Sequence, residues 1–94
     1  MAKILLVEDD KTLGKLLALQ LERDHHLVER VDTGKAALFN LKVHDYDLVI
    51  LDWMLPDLSG LEVCRAYRNQ GGKVPILMLT ARGEAEDKAS ALDT

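Results

Sequence analysis

The sequence predicts an α/β protein: a parallel sheet with helices on both faces, built from four βα units. Three observations lead there. Four short aliphatic runs recur along the chain, at Ile4 to Val7, Leu27 to Val31, Leu48 to Leu51 and Val74 to Leu79. Stretches with helical periodicity separate them. Turn and capping residues sit at the junctions. Strands alternating with helices imply parallel pairing through right-handed crossovers.

The first run, ILLV, is continuous, which suits a strand buried on both faces. Asp10 then stands where a helix cap belongs. Leu13, Leu16, Leu17 and Leu21 follow as one stripe of an amphipathic helix. The second run, LVERV, alternates, as expected of a strand nearer a sheet edge. Asp32 and Thr33 offer a cap for a second helix carrying Ala37, Leu38 and Leu41. The third run is continuous and ends in Asp52. Ser59 opens a third helix with Leu61, Cys64, Tyr67 and Arg68 on its stripe, closed near Gly71 and Gly72. The fourth run, VPILML, again reads as buried on both faces. Glu84 to Leu92 suits a fourth, weakly apolar helix.

Bulk properties narrow the function. Ninety-four residues make one domain, residues 1–94, with 48% hydrophobic and 30% charged residues. The net charge of −4, without a basic block, argues against phosphate-backbone binding by this segment. No apolar run approaches the ~20 residues of a membrane helix. The start MAKILLVEDD is too acidic for a signal peptide. A single cysteine, Cys64, excludes an internal disulfide and fits a reducing cytoplasm. On its helix stripe it reads as a small buried hydrophobe rather than a reactive thiol.

The candidate site lies where the strands end. In open α/β sheets, ligands bind at the carboxyl ends of the strands. There the first strand offers Glu8, Asp9 and Asp10, the third Asp52, and the fourth Thr80 followed by the small Ala81. Carboxylates gathered in one crevice repel each other unless a cation neutralises them. Mg²⁺ takes oxygen ligands and is often held by one or two carboxylates with phosphate oxygens. Asp9 and Asp52 are candidate direct ligands, and Glu8 is a ligand directly or through water. Carboxylates also act as nucleophiles that form aspartyl-phosphates. Asp52 stands alone at its strand end and suits that role. The crowded Glu8 and Asp9 suit the metal. Asp10 reads as a helix cap and Asp57 as a turn residue. His25, His26 and His44 lack ligand spacing and read as surface residues. Trp53 reads as a residue at the rim of the site.

LLVEDD at the first strand, LVILDWMLPDLSG at the third and PILMLTA at the fourth together resemble response-regulator receiver domains, the CheY-like superfamily. The resemblance covers the whole chain in order. It implies a flavodoxin-like three-layer sandwich. It makes Asp52 the phosphoacceptor, Thr80 the switch hydroxyl, and Glu8, Asp9, Asp52 and the Met54 backbone carbonyl the Mg²⁺ ligands. Pro56 and Gly60 shape the loop after Asp52. The implied partner is a sensor histidine kinase that docks on the first helix, and the implied location is cytoplasmic. Such a domain is not an enzyme beyond catalysing its own aspartyl phosphorylation and dephosphorylation. LDWMLPDLSGLEVC is most similar to the OmpR/PhoB type, whose DNA role belongs to a C-terminal winged-helix domain outside this sequence.

The sequence departs from the family at its end. It stops at Thr94, before the family's fifth strand and helix, so the expectation is an incomplete (βα)4 sheet of order 2-1-3-4. The lysine after the fifth strand has no substitute. Lys73 precedes the fourth strand, and Lys88 follows Thr80 on the fourth helix. The expectation is that Mg²⁺ binding survives while phosphorylation weakens or loses its coupling to a switch. The fourth strand becomes an apolar edge through which the chain could form a homodimer. The alternative function is therefore a non-switching binding or self-association module. A haloacid-dehalogenase-type phosphatase needs a second Asp where Met54 stands. A P-loop needs a glycine where Asp9 stands and a Ser/Thr where Leu16 stands. A dinucleotide fold needs G-x-G-x-x-G where EDDKTL stands.

Overall fold

The structure, a computed structural model, describes residues 1–79. Thr80, Ala81, Lys88 and the expected fourth helix lie outside the described residues. The elements are β1 (Lys3–Val7), α1 (Lys11–Arg23), β2 (Leu27–Val31), α2 (Gly34–Val43), β3 (Leu48–Asp52), α3 (Gly60–Asn69) and β4 (Ile76–Leu79). All strand pairs are parallel, in the order β2-β1-β3-β4. This is the predicted order.

Strand alternation sends the side chains to two separate cores. Leu5, Val7, Val49 and Leu51 meet Ala37 of α2 and Val63 of α3 on one face. Ile4, Leu6 and Ile50 meet Ala18 of α1 on the other. The three layers follow directly: α1, then the sheet, then α2 with α3. The central strands β1 and β3 are buried on both faces, as their aliphatic runs predict.

Three expectations need correction. β4 is not buried on both faces. It starts only at Ile76, and Leu77 on the α1 side is 53% exposed. β4 is an edge strand with one face incompletely covered among the described residues. The buried face of α1 is also rotated from the expected stripe. Gly14 and Ala18 are buried and Leu17 and Leu21 pack beside them, whereas Leu13 and Leu16 are exposed. Small residues let the helix backbone approach the sheet, and the leucines flank the contact. In α3, Val63 is buried with Tyr67, while Arg68 is exposed.

The helix starts are capped by short polar side chains. Asp10 Oδ1 accepts from the Leu13 N–H at 3.0 Å, and Thr33 Oγ1 from the Ala36 N–H at 3.1 Å. Thr33, rather than Asp32, is the α2 cap. Ser59 makes a full capping box. Its Oγ accepts from the Glu62 N–H at 3.1 Å, and Glu62 Oε1 accepts from the Ser59 N–H at 2.8 Å. Ser59→Ala is expected to lower stability by about 1 kcal/mol. Urea unfolding should show the midpoint fall with an unchanged slope.

Gly71 has φ +88°, a left-handed conformation that glycine adopts without a Cβ penalty, and it follows the end of α3. Lys73, one residue before Val74, lies exposed at the start of the β4 segment, away from the strand's carboxyl end. Cys64 is a half-buried free thiol packed against the α2/α3 core.

Candidate metal and phosphoacceptor site

The parallel sheet brings the ends of its two central strands side by side. Val7 pairs with Leu51 in register, so Glu8 and Asp52 are the next residues on neighbouring strands. Asp52 is itself the last residue of β3 and pairs with Leu79 of β4. Thr80, one residue beyond, lies outside the described residues.

Glu8, Asp9 and Asp52 each bring a carboxylate oxygen to the same point, and the three oxygens lie within 4.8 Å of one another. Glu8 is 4% exposed and Asp52 is fully buried, while Asp9 is exposed. The cluster therefore has two buried members and one facing solvent, which gives a ligand a way in.

Local hydrogen bonds fix Glu8. Its backbone N–H donates to the Val31 carbonyl at 3.1 Å, continuing the β1–β2 pairing by one residue. Its Oε2 accepts from the Asp10 N–H at 2.9 Å, which folds the side chain back over the turn. Its Oε1 is buried and receives no N–H or O–H hydrogen bond from a described residue outside the carboxyl cluster. Burial raises the Glu8 pKa from 4.5 to about 7. The Asp10 N–H works against that rise, and the Asp52 charge and the contacts with the Asp52 and Asp9 carboxyls add to it.

This donor set fits a hard divalent cation. Buried carboxylate oxygens face one another, Glu8 Oε1 takes no N–H donor among the described residues, and a cation would supply the missing positive charge. Asp9, Asp52 and Glu8 are the residues that could hold it.

The loop after Asp52 closes over a short base. The Gly60 N–H donates to the Trp53 carbonyl at 2.7 Å, and Met54 bridges to Ser59. Glycine is required at position 60 because a Cβ would run into the Asp52 carbonyl oxygen and come within 3.1 Å of Trp53 Cα. Trp53 is half-buried, and the Met54 side chain is 51% exposed.

Asp57 does more than shape a turn. Its carboxylate accepts from the Gly34 N–H at 2.7 Å and the Lys35 N–H at 2.9 Å, at the start of α2. These two donors, with the Leu58 N–H at 2.9 Å, hold its carboxyl below the usual range. Sequence reasoning missed this contact because its partner lies on another element.

The histidines stay outside the site. His25 and His44 are exposed, while His26 is half-buried and its Nδ1 accepts from the Ala2 N–H at 3.0 Å.

The response regulator receiver domain model matches residues 4–94. The chain is 42% identical over 93 residues to the response regulator ArlR of Staphylococcus haemolyticus, covering 99% of this chain and 42% of that protein. It is 44% identical over 93 residues to the response regulator RppA of Synechocystis sp., covering 97% of this chain and 40% of that protein. The chain thus spans about two fifths of the length of these relatives. Among solved structures, the receiver domain of Francisella response regulator 1452 superposes with a TM-score of 0.90 at 29% identity, covering 99% of this chain and 77% of that one.

Proposed function

The chain belongs to the family of response regulator receiver domains, and from that premise we propose that it accepts a phosphoryl group on Asp52 in a Mg²⁺-dependent reaction with a partner histidine kinase. The observation that carries this reading is the convergence of Glu8, Asp9 and Asp52 within 4.8 Å. One member is a strand-end nucleophile, and the other two come from the neighbouring strand.

In this reading an Asp52 carboxylate oxygen attacks the phosphorus of a phosphohistidine. The P–O bond forms as the P–N bond breaks, and the electron pair leaves on the imidazole nitrogen. Asp9, Glu8 and Asp52, with the Met54 backbone carbonyl, would hold the cation. A bound divalent ion would supply positive charge to offset the carboxylates and the incoming phosphoryl oxygens. Thr80 acts as the hydroxyl that meets the new phosphoryl group. Beyond its own phosphorylation and dephosphorylation the domain is not an enzyme. Its cytoplasmic location and its control of a DNA-binding output domain in a longer protein are part of the same proposal.

Treatment with acetyl phosphate and Mg²⁺, followed by intact-mass measurement, tests it. The expected result is a mass gain of about 80 Da, one phosphoryl group, that requires both the ion and Asp52.

A second reading is self-association through β4. β4 lies at the edge of the described sheet, which favours it, and Leu77 leaves an apolar side chain half-exposed on the adjoining α1 face. Light scattering at high concentration separates a dimer from a monomer, and a monomer overturns this second reading alone.

A further inference from the structure

The 53–59 loop carries Met54, and its ends are tied at the base by the antiparallel Met54–Ser59 bridge, to which the Gly60 N–H to Trp53 carbonyl hydrogen bond belongs. Its tip is tied elsewhere. Asp57 reaches across to α2 and takes two successive backbone N–H groups, from Gly34 and Lys35. Thr33 takes the next, from Ala36. The first turn of α2 therefore has three donors satisfied by two side chains, one local and one from the loop beside the site. Leu58 completes the seam. A Cβ at position 34 would come within 2.9 Å of Leu58 Cβ and 2.8 Å of Val63 Cγ2, so only glycine lets the loop and α3 lie this close to α2.

We propose that Asp57 is a positioning residue: its carboxylate latches the loop after β3 to the first turn of α2, and so sets where Met54 presents its carbonyl to the ion crevice. The inference rests on the reading of Glu8, Asp9, Asp52 and Met54 as the ion site. The chemistry suits the task. Asp57 is exposed, yet two charge-assisted hydrogen bonds from consecutive amides of another element fix its carboxylate in both position and plane, whereas a turn acid without such partners fixes nothing beyond its own loop. The positive end of the α2 dipole adds to the attraction.

Thr33→Ala provides the control, because it weakens the same helix start without touching the loop. Asp57→Ala is compared with it in the full chain by amide hydrogen exchange and by Mg²⁺ titration calorimetry. In Asp57→Ala the Gly60 amide, which reports closure of the loop base, is expected to exchange about tenfold faster, and Mg²⁺ affinity to fall about three- to tenfold. Thr33→Ala is expected to change neither, and Asp57→Asn, which keeps one acceptor oxygen, to restore part of both. Equal exchange at Gly60 and equal Mg²⁺ affinity in the Asp57→Ala and Thr33→Ala proteins would overturn the positioning role. Absence of Mg²⁺ uptake by the unsubstituted protein overturns the ion-site reading instead, and the Gly60 exchange comparison, made without the ion, then decides by itself whether Asp57 holds the loop.

Discussion

Asp52→Asn is expected to abolish the mass gain of about 80 Da under acetyl phosphate and Mg²⁺, with the labelling rate falling by more than about a hundredfold. The amide is nearly the same shape as the carboxylate, so the fold should stay intact. It lacks the anionic oxygen that attacks phosphorus. It also removes one of the three charges that call for the cation. Asp9→Asn separates the two roles. It leaves the nucleophile in place and removes the solvent-facing ligand, so labelling should persist at high Mg²⁺ and fail at low Mg²⁺. Full labelling of the Asp52→Asn protein would place the phosphoryl group on another residue and end the phosphoacceptor reading.

The sequence carried the parts of this structure that rest on local rules. Aliphatic runs marked β1 and β3, because strands buried on both faces need apolar residues in unbroken succession. Asp10 and Ser59 stood where they cap, because the capping bond spans only three residues. The acids at strand ends were legible as a site because parallel pairing puts the carboxyl ends of β1 and β3 on one rim.

What failed depended on packing between elements. α1 has leucines at positions 13, 16, 17, 19 and 21, so hydrophobic periodicity alone could not choose its inner face. The choice was made by Gly14 and Ala18, whose small size admits the sheet and, at Gly14, the Arg30 guanidinium. Val74 and Pro75 read as strand, yet β4 begins only after the proline, which lacks the N–H that a ladder needs. Asp57 looked like any turn acid because its partners, Gly34 and Lys35, are more than 20 residues away in sequence. The depth of Glu8 was hidden too. Its side chain folds back onto the Asp10 N–H and lies buried against the Asp52 and Asp9 carboxyls.

That burial is expected to make the stability of the domain depend on pH and, if the three carboxylates hold an ion as proposed, on divalent ions as well. Without an ion, the folded state holds a proton on Glu8 up to about pH 7, whereas the unfolded chain releases it near 4.5. Between those values the folded state binds more protons than the unfolded one. Stability from this group is therefore complete below pH 4.5 and is lost as pH rises through 7. A divalent ion bound at the proposed site would replace the proton as the source of positive charge. At free Mg²⁺ a hundredfold above its Kd, the folded state should gain about 2.7 kcal/mol. For a domain of this size that corresponds to a rise in Tm of roughly 10 °C or more. The gain should be larger at about pH 8 than at about pH 5.5, because at the lower pH the ion must displace the Glu8 proton. Glu8→Gln should flatten the pH dependence of the ion-free protein, since a neutral amide has no proton to lose. Asp52→Asn should stabilise the ion-free protein, because it removes the charge that repels Glu8, and should erase most of the response to Mg²⁺. Thermal unfolding at the two pH values, with Mg²⁺ and with a chelator, measures all of these effects. A Mg²⁺ response of equal size at both pH values would mean that Glu8 does not share the ion's position, leaving Asp9 and Asp52 to hold it without the third carboxylate.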